Sequence, residues 1–276
     1  MGFKEYLKTR RMKKFHKKYK VGLCLSGGGA RGFVYIGAFK ALEEMGIKFD
    51  AVAGASIGSL FGAFYASGLS ADEMYSATKN AKDSDFRKAK LGFLPSKMDT
   101  MRDNLKLGLP IRKIEDLPIP YYAVAVDLRT GQEVVFDSGD LATVVTASCA
   151  IPGVFVPVKY RDKVLVDGGV VNNVPSDVLK MKGCDFVVTI DCNSTRGGGT
   201  SSNSLINQFV TSVGIMMAKN SKKGLDISDL VICPKTEKFH SLKIGNKEEM
   251  IEEGYRATMQ MRTEIEKIFL GKLKKK

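Results

Sequence analysis

The fold of this chain is decided by one stretch, Ala51-Val52-Ala53-Gly54-Ala55-Ser56-Ile57-Gly58-Ser59. Small apolar residues lead into a G-x-S-x-G turn, and a helix-like run follows at 60–66. This is the strand, sharp turn and helix context in which such a serine becomes a nucleophile. Glycines suit the turn because its backbone segments come too close together for a Cβ. A small-residue turn that only packs a helix on a strand fits this pattern as well. A partner acid and an oxyanion hole elsewhere in the chain would distinguish a nucleophile from such a turn.

Composition indicates a globular α/β protein. The 276 residues are 44% hydrophobic and 26% charged, and strand-like and helix-like patterns alternate throughout. We therefore predict one domain at 21–276, preceded by a basic arm at 1–20. The net charge of +13 favours polyanionic partners, either nucleic acid or anionic lipid head groups.

The arm at 1–20 carries nine Lys and Arg residues against the single acid Glu5. Two interpretations stay open: peripheral contact with an anionic membrane, or a solvated arm. No apolar h-region follows the charges, and no apolar run has the length of a membrane span, so we expect a cytoplasmic protein. The five cysteines are an odd number without a C-x-x-C pair, which predicts reduced core residues rather than disulfides or zinc ligands.

Periodicity and turn residues predict the remaining elements. Strands are expected at 20–25, 47–53, 121–126, 133–136, 154–158, 163–166, 185–191 and 229–233. Helices are expected at 33–45, 60–66, 140–150, 204–220 and 246–269. Two more are expected, one that starts at the capping box at 70–73 and one that follows the turn at 167–175 and ends near 182. Residues 83–118 suit a mobile flap over an apolar site, a surface that meets lipid, or a helical excursion packed on the core. Residues 193–203 suit a flexible loop.

A glycine loop follows the first strand and opens a helix, at Gly27-Gly28-Gly29-Ala30-Arg31-Gly32. It matches the dinucleotide fingerprint G-x-G-x-x-G, and an acid, Asp50, lies 18 residues beyond Gly32. Asp50, however, begins its strand, whereas a ribose-binding acid ends it. Glycine N–H groups at a helix N-terminus also suit an oxyanion hole beside Ser56. Arg31 suits either an anionic head group or a surface acid.

A serine nucleophile needs a base, and the chain has only two histidines. His16 lies in the basic arm, and His240 lies in a polar segment that reads as an exposed loop. Asp167 ends an apolar strand and enters a turn of two glycines and two asparagines, whose N–H groups and amides could orient the carboxylate. The alternative is an Asp-Gly turn in which Asn173 is an ordinary helix-start residue.

Together, these three motifs resemble the patatin-like phospholipases, which use a G-G-G-x-[KR]-G loop, a G-x-S-x-G nucleophile and a D-G-[GA] turn. The matching stretches are Gly27–Gly32, Gly54–Gly58 and Asp167–Gly169, in the family's order, and the block at 147–157 is also similar. The resemblance implies a three-layer α/β/α sandwich with a central, mostly parallel sheet.

The resemblance also implies hydrolysis of carboxylic esters of phospholipids or lysophospholipids, without metal or cofactor. Ser56 would be the nucleophile and Asp167 the base. The implied oxyanion and substrate loop consists of Gly27, Gly28, Gly29, Arg31 and Gly32. The implied nucleophile elbow contains Gly54 and Gly58, and the implied base turn contains Gly168 and Gly169.

We therefore expect a lipid substrate and no nucleic-acid partner. Two other functions stay open: a nucleotide-binding oxidoreductase that uses the glycine loop, and a non-catalytic membrane adaptor on the same fold. The acyl chain, the head group and the oligomeric state are left undetermined.

Overall fold

A computed structural model describes residues 8, 18–79, 98–193, 205–241 and 243–271. Within these ranges the strands are β1 (Val21–Leu25), β2 (Ala51–Ala55), β3 (Tyr121–Asp127), β4 (Glu133–Phe136), β5 (Val158–Tyr160), β6 (Lys163–Asp167), β7 (Phe186–Ile190) and β8 (Leu230–Ile232). They form one sheet in the order β5-β6-β3-β2-β1-β7-β8, with β4 paired to β3. Strands β3, β2, β1, β7 and β8 run parallel, whereas β4, β5 and β6 pair antiparallel.

Helices cover both faces of this sheet. The described helices are α1 (Val34–Glu44), α2 (Ile57–Ala66), α3 (Ala71–Thr78), α4 (Asp99–Gly108), α5 (Leu141–Ser148), α6 (Ser176–Met181), α7 (Leu205–Ile227), α8 (Lys247–Gln260) and α9 (Arg262–Phe269). Short 3-10 segments lie at Gly29–Phe33, Ile114–Asp116 and Gly168–Val170. The predicted α/β/α sandwich with a mostly parallel sheet is confirmed.

Alternation along β1 divides the core into two layers. Leu23 and Leu25 join the larger cluster, which includes residues of α1, α2, α5 and α9. Cys24 faces the smaller cluster with Leu179 of α6. Because successive side chains of a strand point to opposite faces, a fully buried strand must be apolar on both.

The ends of the strands set the position of the site. Residues Leu25 and Gly54 are register partners in the parallel pair β1–β2, so the segments that follow the two strands start at one edge of the sheet. Asp50 lies at the opposite edge, where its carboxylate accepts a hydrogen bond of 2.7 Å from the Val21 N–H. The predicted hairpin is also present, with Val124 opposite Val135.

Several predicted boundaries differ from the structure. The expected helix at 246–269 is two helices, because the backbone leaves the helical region at Met261 (φ −91, ψ 8). This turn lets Ile265 and Ile268 of α9 reach the core, where both are fully buried. The helix predicted at 204–220 continues to Ile227 as α7. The pair predicted at 154–158 and 163–166 begins only at Val158.

Other predictions fall partly outside the described residues. These include most of the basic arm, residues 83–97 and residues 194–203. Of the arm, Lys8 forms an ion pair with Glu266 of α9. The described part of 83–118 contains α4, whose Leu105 is buried against the core. Four cysteines are buried as expected, but Cys233 is exposed; all five are free thiols.

Candidate active site

The turn after β2 is a strained elbow centred on Ser56. Its backbone has φ 52 and ψ −129, a region that non-glycine residues rarely occupy. A Cβ on Gly58 would overlap the Leu25 carbonyl, and a Cβ on Gly54 would overlap the backbone of Gly58. The two glycines therefore fit where the elbow passes closest to β1 and to itself, as the sequence predicted.

Hydrogen bonds hold the elbow from both sides. The Ser56 N–H donates to Ser148 Oγ at 3.0 Å, and this hydroxyl donates to the Val124 carbonyl at 2.6 Å. The Ser59 hydroxyl donates to the Ser56 carbonyl at 2.6 Å, and Tyr121 donates to the Ser59 carbonyl at 2.7 Å. Sequence reasoning missed Ser148. The only signal was its place in the small-residue block at 147–157.

The elbow brings Ser56 against Asp167 at the end of β6. Ser56 Oγ donates a hydrogen bond to Asp167 Oδ2 at 2.6 Å, and the Gly169 N–H donates to Asp167 Oδ1 at 2.8 Å. Gly168 is required because a Cβ there would overlap the Val124 carbonyl. Both carboxylate oxygens therefore have donors, and one of these donors is the serine hydroxyl.

Burial sets the electrostatics of this pair. Ser56 is 3% exposed and Asp167 is fully buried. Desolvation raises the pKa of Asp167 from 3.8 to about 7, opposed by the hydrogen bonds from Ser56 and the Gly169 N–H. The carboxylate is thus a stronger proton acceptor than an exposed aspartate.

The glycine loop begins directly after β1 and rests on the elbow. The Gly27 N–H donates to the Asn173 carbonyl at 3.1 Å, and the Ala30 N–H donates to the Ser241 carbonyl at 2.7 Å. Among the described residues, the N–H groups of Gly28 and Gly29 have no hydrogen-bond acceptor. Two free backbone donors therefore lie between two that are used internally.

Close contacts explain the other glycines of the loop. Gly29 has φ +60, and a Cβ there would overlap the Ser241 carbonyl. A Cβ on Gly32 would overlap Ile57, so this glycine lets the loop pack on the residue after the nucleophile. A Cβ on Gly27 would lie 3.0 Å from the Cβ of Ser56. The loop thus abuts the serine directly.

Among the described residues, Arg31 contacts neither an acid nor the Ser56–Asp167 pair. Its Nε donates to the Phe239 carbonyl at 2.9 Å, and its Nη1 donates to Asn193 Oδ1 at 3.5 Å. Neither of the two partners expected from the sequence, an anionic head group or a surface acid, is needed to explain its orientation. Its guanidinium ties the glycine loop to the segments after β7 and β8.

The asparagines of the base turn do not orient Asp167, contrary to the sequence interpretation. The Asn172 amide donates to Glu133 at 3.0 Å and to Asp177 at 2.9 Å. The Asn173 amide donates to the Gly27 carbonyl at 3.3 Å and to Ser221 at 3.0 Å. Asn173 is therefore more than a helix-start residue, since it links the base turn to the glycine loop.

Other candidate groups lie elsewhere. His240 is exposed, as the sequence indicated, and His16 lies outside the described residues. Across the described ranges, no group of three or more His, Cys, Asp or Glu residues is arranged to hold a metal ion. None of the helices described is both long and apolar enough to cross a membrane.

Comparison with known proteins supports the motif interpretation. The sequence model of the family described as patatin-like phospholipase matches residues 23–180, more than half of the chain. An uncharacterised NTE family protein of Mycobacterium bovis is 34% identical over 187 residues, covering 65% of this chain and 51% of the relative. Human patatin-like phospholipase domain-containing protein 6 is 34% identical over 188 residues, covering 63% of this chain and 13% of the relative. The chain thus spans about half the length of the first relative and much less of the second.

Solved structures share the fold at low sequence identity. VipD from Legionella pneumophila has a TM-score of 0.55 at 17% identity, covering 89% of this chain and 67% of that protein. Human GIVD cytosolic phospholipase A2 has a TM-score of 0.54 at 12% identity, covering 99% of this chain and 65% of that protein. At this identity the likeness concerns the fold alone.

Proposed function

This chain belongs to the patatin-like phospholipase family, and on that premise we propose that it hydrolyses carboxylic ester bonds of phospholipids or lysophospholipids. Ser56 is the nucleophile and Asp167 the general base. The observation that carries the proposal is the 2.6 Å hydrogen bond from Ser56 Oγ to Asp167 Oδ2 on a strained elbow. A serine held in this way can lose its proton to the carboxylate as it attacks.

In the acylation step, Ser56 Oγ attacks the ester carbonyl while its proton moves to Asp167 Oδ2. The N–H groups of Gly28 and Gly29 hold the oxyanion that forms, and the N-terminus of α2 adds a partial positive charge beside Ser56. Collapse breaks the ester bond, and the departing alcohol takes the proton from Asp167. The product is an acyl-enzyme on Ser56 with Asp167 ionised again.

Deacylation repeats the same sequence with water. Asp167 accepts a proton from water, the hydroxyl attacks the acyl carbonyl, and the proton returns to Ser56 Oγ as the fatty acid leaves. The raised pKa of Asp167 favours both steps, because each unit of pKa makes proton transfer to the carboxylate easier by about 1.4 kcal/mol.

The experiment is to measure fatty acid release from phospholipid, lysophospholipid and a short soluble acyl ester. Wild type is compared with Ser56→Ala and Asp167→Asn. Matched controls are Ser67→Ala and Asp162→Asn; Asp162 is 82% exposed. A fluorophosphonate probe, mapped by mass spectrometry, should label Ser56. Full activity in Ser56→Ala or Asp167→Asn would reject the pair.

The same measurements separate the two other functions. A non-catalytic adaptor would bind vesicles but release no fatty acid and take no label at Ser56. A nucleotide-binding oxidoreductase would bind NAD(P) tightly in calorimetry. The position of Asp50 at the opposite end of its strand argues against that binding.

A further inference from the structure

The carbonyl group of Gly27 receives two side-chain amides from distant parts of the chain. Asn173 Nδ2 donates to it from the base turn at 3.3 Å, and Asn193 Nδ2 donates to it from the segment after β7. The Gly27 N–H is bound as well, by the Asn173 backbone carbonyl at 3.1 Å. The first peptide of the glycine loop is therefore fixed at both its polar ends.

Fixing this carbonyl also fixes the N–H of the next residue. The described chain contains no cis peptide bond, and in a trans peptide the C=O and N–H groups point in opposite directions. Two amides on the Gly27 carbonyl thus direct the Gly28 N–H away from Asn173 and Asn193. This N–H is one of the two in the loop that have no acceptor among the residues the structure describes.

The orientation of each asparagine follows from its partners. Asn173 makes both of its side-chain hydrogen bonds through Nδ2, and its buried Oδ1 has no partner among the described residues. Rotating this amide would place Oδ1 against the Gly27 carbonyl oxygen, which repels it. Asn193 Oδ1 accepts from Arg31 Nη1 at 3.5 Å, which leaves its Nδ2 for Gly27.

We propose that Asn173 and Asn193 are positioning residues that set the Gly27–Gly28 peptide for oxyanion stabilisation, and that Arg31 acts through Asn193. This inference rests on the proposed ester hydrolysis. None of the three side chains touches the reacting atoms. They act by holding a backbone donor in place before the reaction, which is where oxyanion stabilisation gains its energy.

The decisive variants replace an amide donor by an acceptor of the same shape. Asn193→Asp and Asn173→Asp each set a carboxylate oxygen against the Gly27 carbonyl, so the peptide should rotate. Asn193 is half-buried and Asn173 almost fully buried, so Asn193→Asp is the milder change and keeps the test interpretable if Asn173→Asp does not fold. The matched control is Asn172→Ala, which removes a buried amide from the same turn.

Kinetics distinguish positioning from general loss of structure. With a soluble acyl ester, kcat of Asn193→Asp should fall by on the order of 10²-fold, while KM stays within about threefold. Affinity for an acyl trifluoromethyl ketone, whose hemiketal with Ser56 carries an oxyanion, should fall by the same factor as kcat. Asn172→Ala should keep the kcat of wild type. Adding Arg31→Met to Asn193→Asp should cost little more, because both changes break one chain of contacts.

The outcomes separate this inference from the proposed function. If wild type turns over esters and Asn193→Asp keeps its kcat and its ketone affinity, the positioning role is rejected and the hydrolase stands. If wild type releases no fatty acid, the proposed function fails. The peptide is then judged by the crystal structure of Asn193→Asp: a rotated Gly27 carbonyl supports the positioning role, and an unmoved one overturns it.

Discussion

Ser56 Oγ and Asp167 Oδ2 are joined by a 2.6 Å hydrogen bond between residues 111 positions apart in the chain. Ser56 follows β2 and Asp167 ends β6, and these two strands pair with successive parts of β3, at Tyr121–Val124 and Ala125–Asp127, on the side away from β4. β6 is antiparallel to β3, so Asp167 stands opposite Ala125 rather than beyond the end of β3. The end of β6 therefore meets the end of β2 along one side of β3, and both side chains are buried there.

The activity should depend on pH through Asp167. The pKa of this carboxyl is about 7, and only its ionised form accepts the serine proton. We expect kcat/KM with a soluble ester to rise with pH and to level off above a midpoint near 7. The exposed-site variant Asp162→Asn should keep that midpoint. A flat profile between pH 5 and 9 would contradict the assignment of Asp167 as the base.

Removal of the carboxyl group should cost most of the rate. General-base catalysis contributes on the order of 10²–10⁴-fold, so we expect kcat of Asp167→Asn to fall by that factor. An asparagine still accepts from the Gly169 N–H, so the turn should persist. Circular dichroism and the unfolding transition check the fold, and steady-state kinetics measure the loss. Less than a tenfold loss in a folded variant would mean that another group takes the proton.

The same substitution should change the pH dependence of stability. Between the ordinary pKa of 3.8 and the folded value of about 7, the folded protein binds the proton more tightly than the unfolded chain. The free energy of unfolding contributed by Asp167 therefore falls as pH rises through this window. The quantity to compare is the free energy of unfolding of Asp167→Asn minus that of wild type. We expect this difference to be larger at pH 8 than at pH 4, by up to roughly 4 kcal/mol.

Urea unfolding of wild type and Asp167→Asn at the two pH values measures this difference. Ser67→Ala serves as the control, since it removes no titratable group and should show the same difference from wild type at both. An Asp167→Asn difference that does not change with pH would show that the folded carboxyl titrates near its ordinary pKa.

Ser148 should be needed for the geometry of the elbow. Ser148→Ala removes the acceptor of the Ser56 N–H and the donor to the Val124 carbonyl, leaving two buried polar groups unpaired. We expect a loss of about 1–3 kcal/mol in the free energy of unfolding, together with a lower kcat. Thr146→Ala is the control, because Thr146 is buried on the same helix and its hydroxyl donates to the Ala142 carbonyl rather than to the elbow. It should leave kcat unchanged.

Two glycines of α7 should respond oppositely to the same substitution. Gly214 has open space around its Cβ position, so Gly214→Ala should stabilise the helix by about 0.5–1 kcal/mol. A Cβ on Gly224 would overlap the Val174 carbonyl, next to Asn173, so Gly224→Ala should destabilise the protein by about 1–3 kcal/mol. Thermal unfolding of both variants compares them directly. Equal shifts would mean that α7 does not pack as described.

Local patterns were enough to predict the sheet, most helices and the candidate pair. The spacing of Gly54, Ser56 and Gly58 predicts an elbow because the steric need for glycine is local. The break at Met261 carries no proline or glycine signal, so nothing in the local pattern announces it. It follows from how α9 reaches the core, which is a property of the assembled protein.

The amide contacts on Gly27 could not be predicted for a related reason. Asn173 and Asn193 are ordinary polar residues in turn-like segments, and such segments favour asparagine for local reasons alone. Their common partner becomes visible only when β1, the base turn and the end of β7 meet. Arg31 is the same case, since its contacts with Phe239 and Asn193 join segments that are distant in the chain.

The sequence by itself determined the α/β class, the family and the identity of the candidate pair, because motif spacing and strand patterns depend on residues that are close together in the chain. Only the tertiary structure decided how Ala51–Ser59 meets its partners. It placed Asp167 against Ser56, removed both from water and so raised the pKa of the carboxyl group. Within the described part of the chain, it also left the N–H groups of Gly28 and Gly29 without an acceptor, between the bound N–H groups of Gly27 and Ala30. Desolvation and hydrogen-bond satisfaction depend on every segment that packs around the site, and no single stretch of sequence contains them.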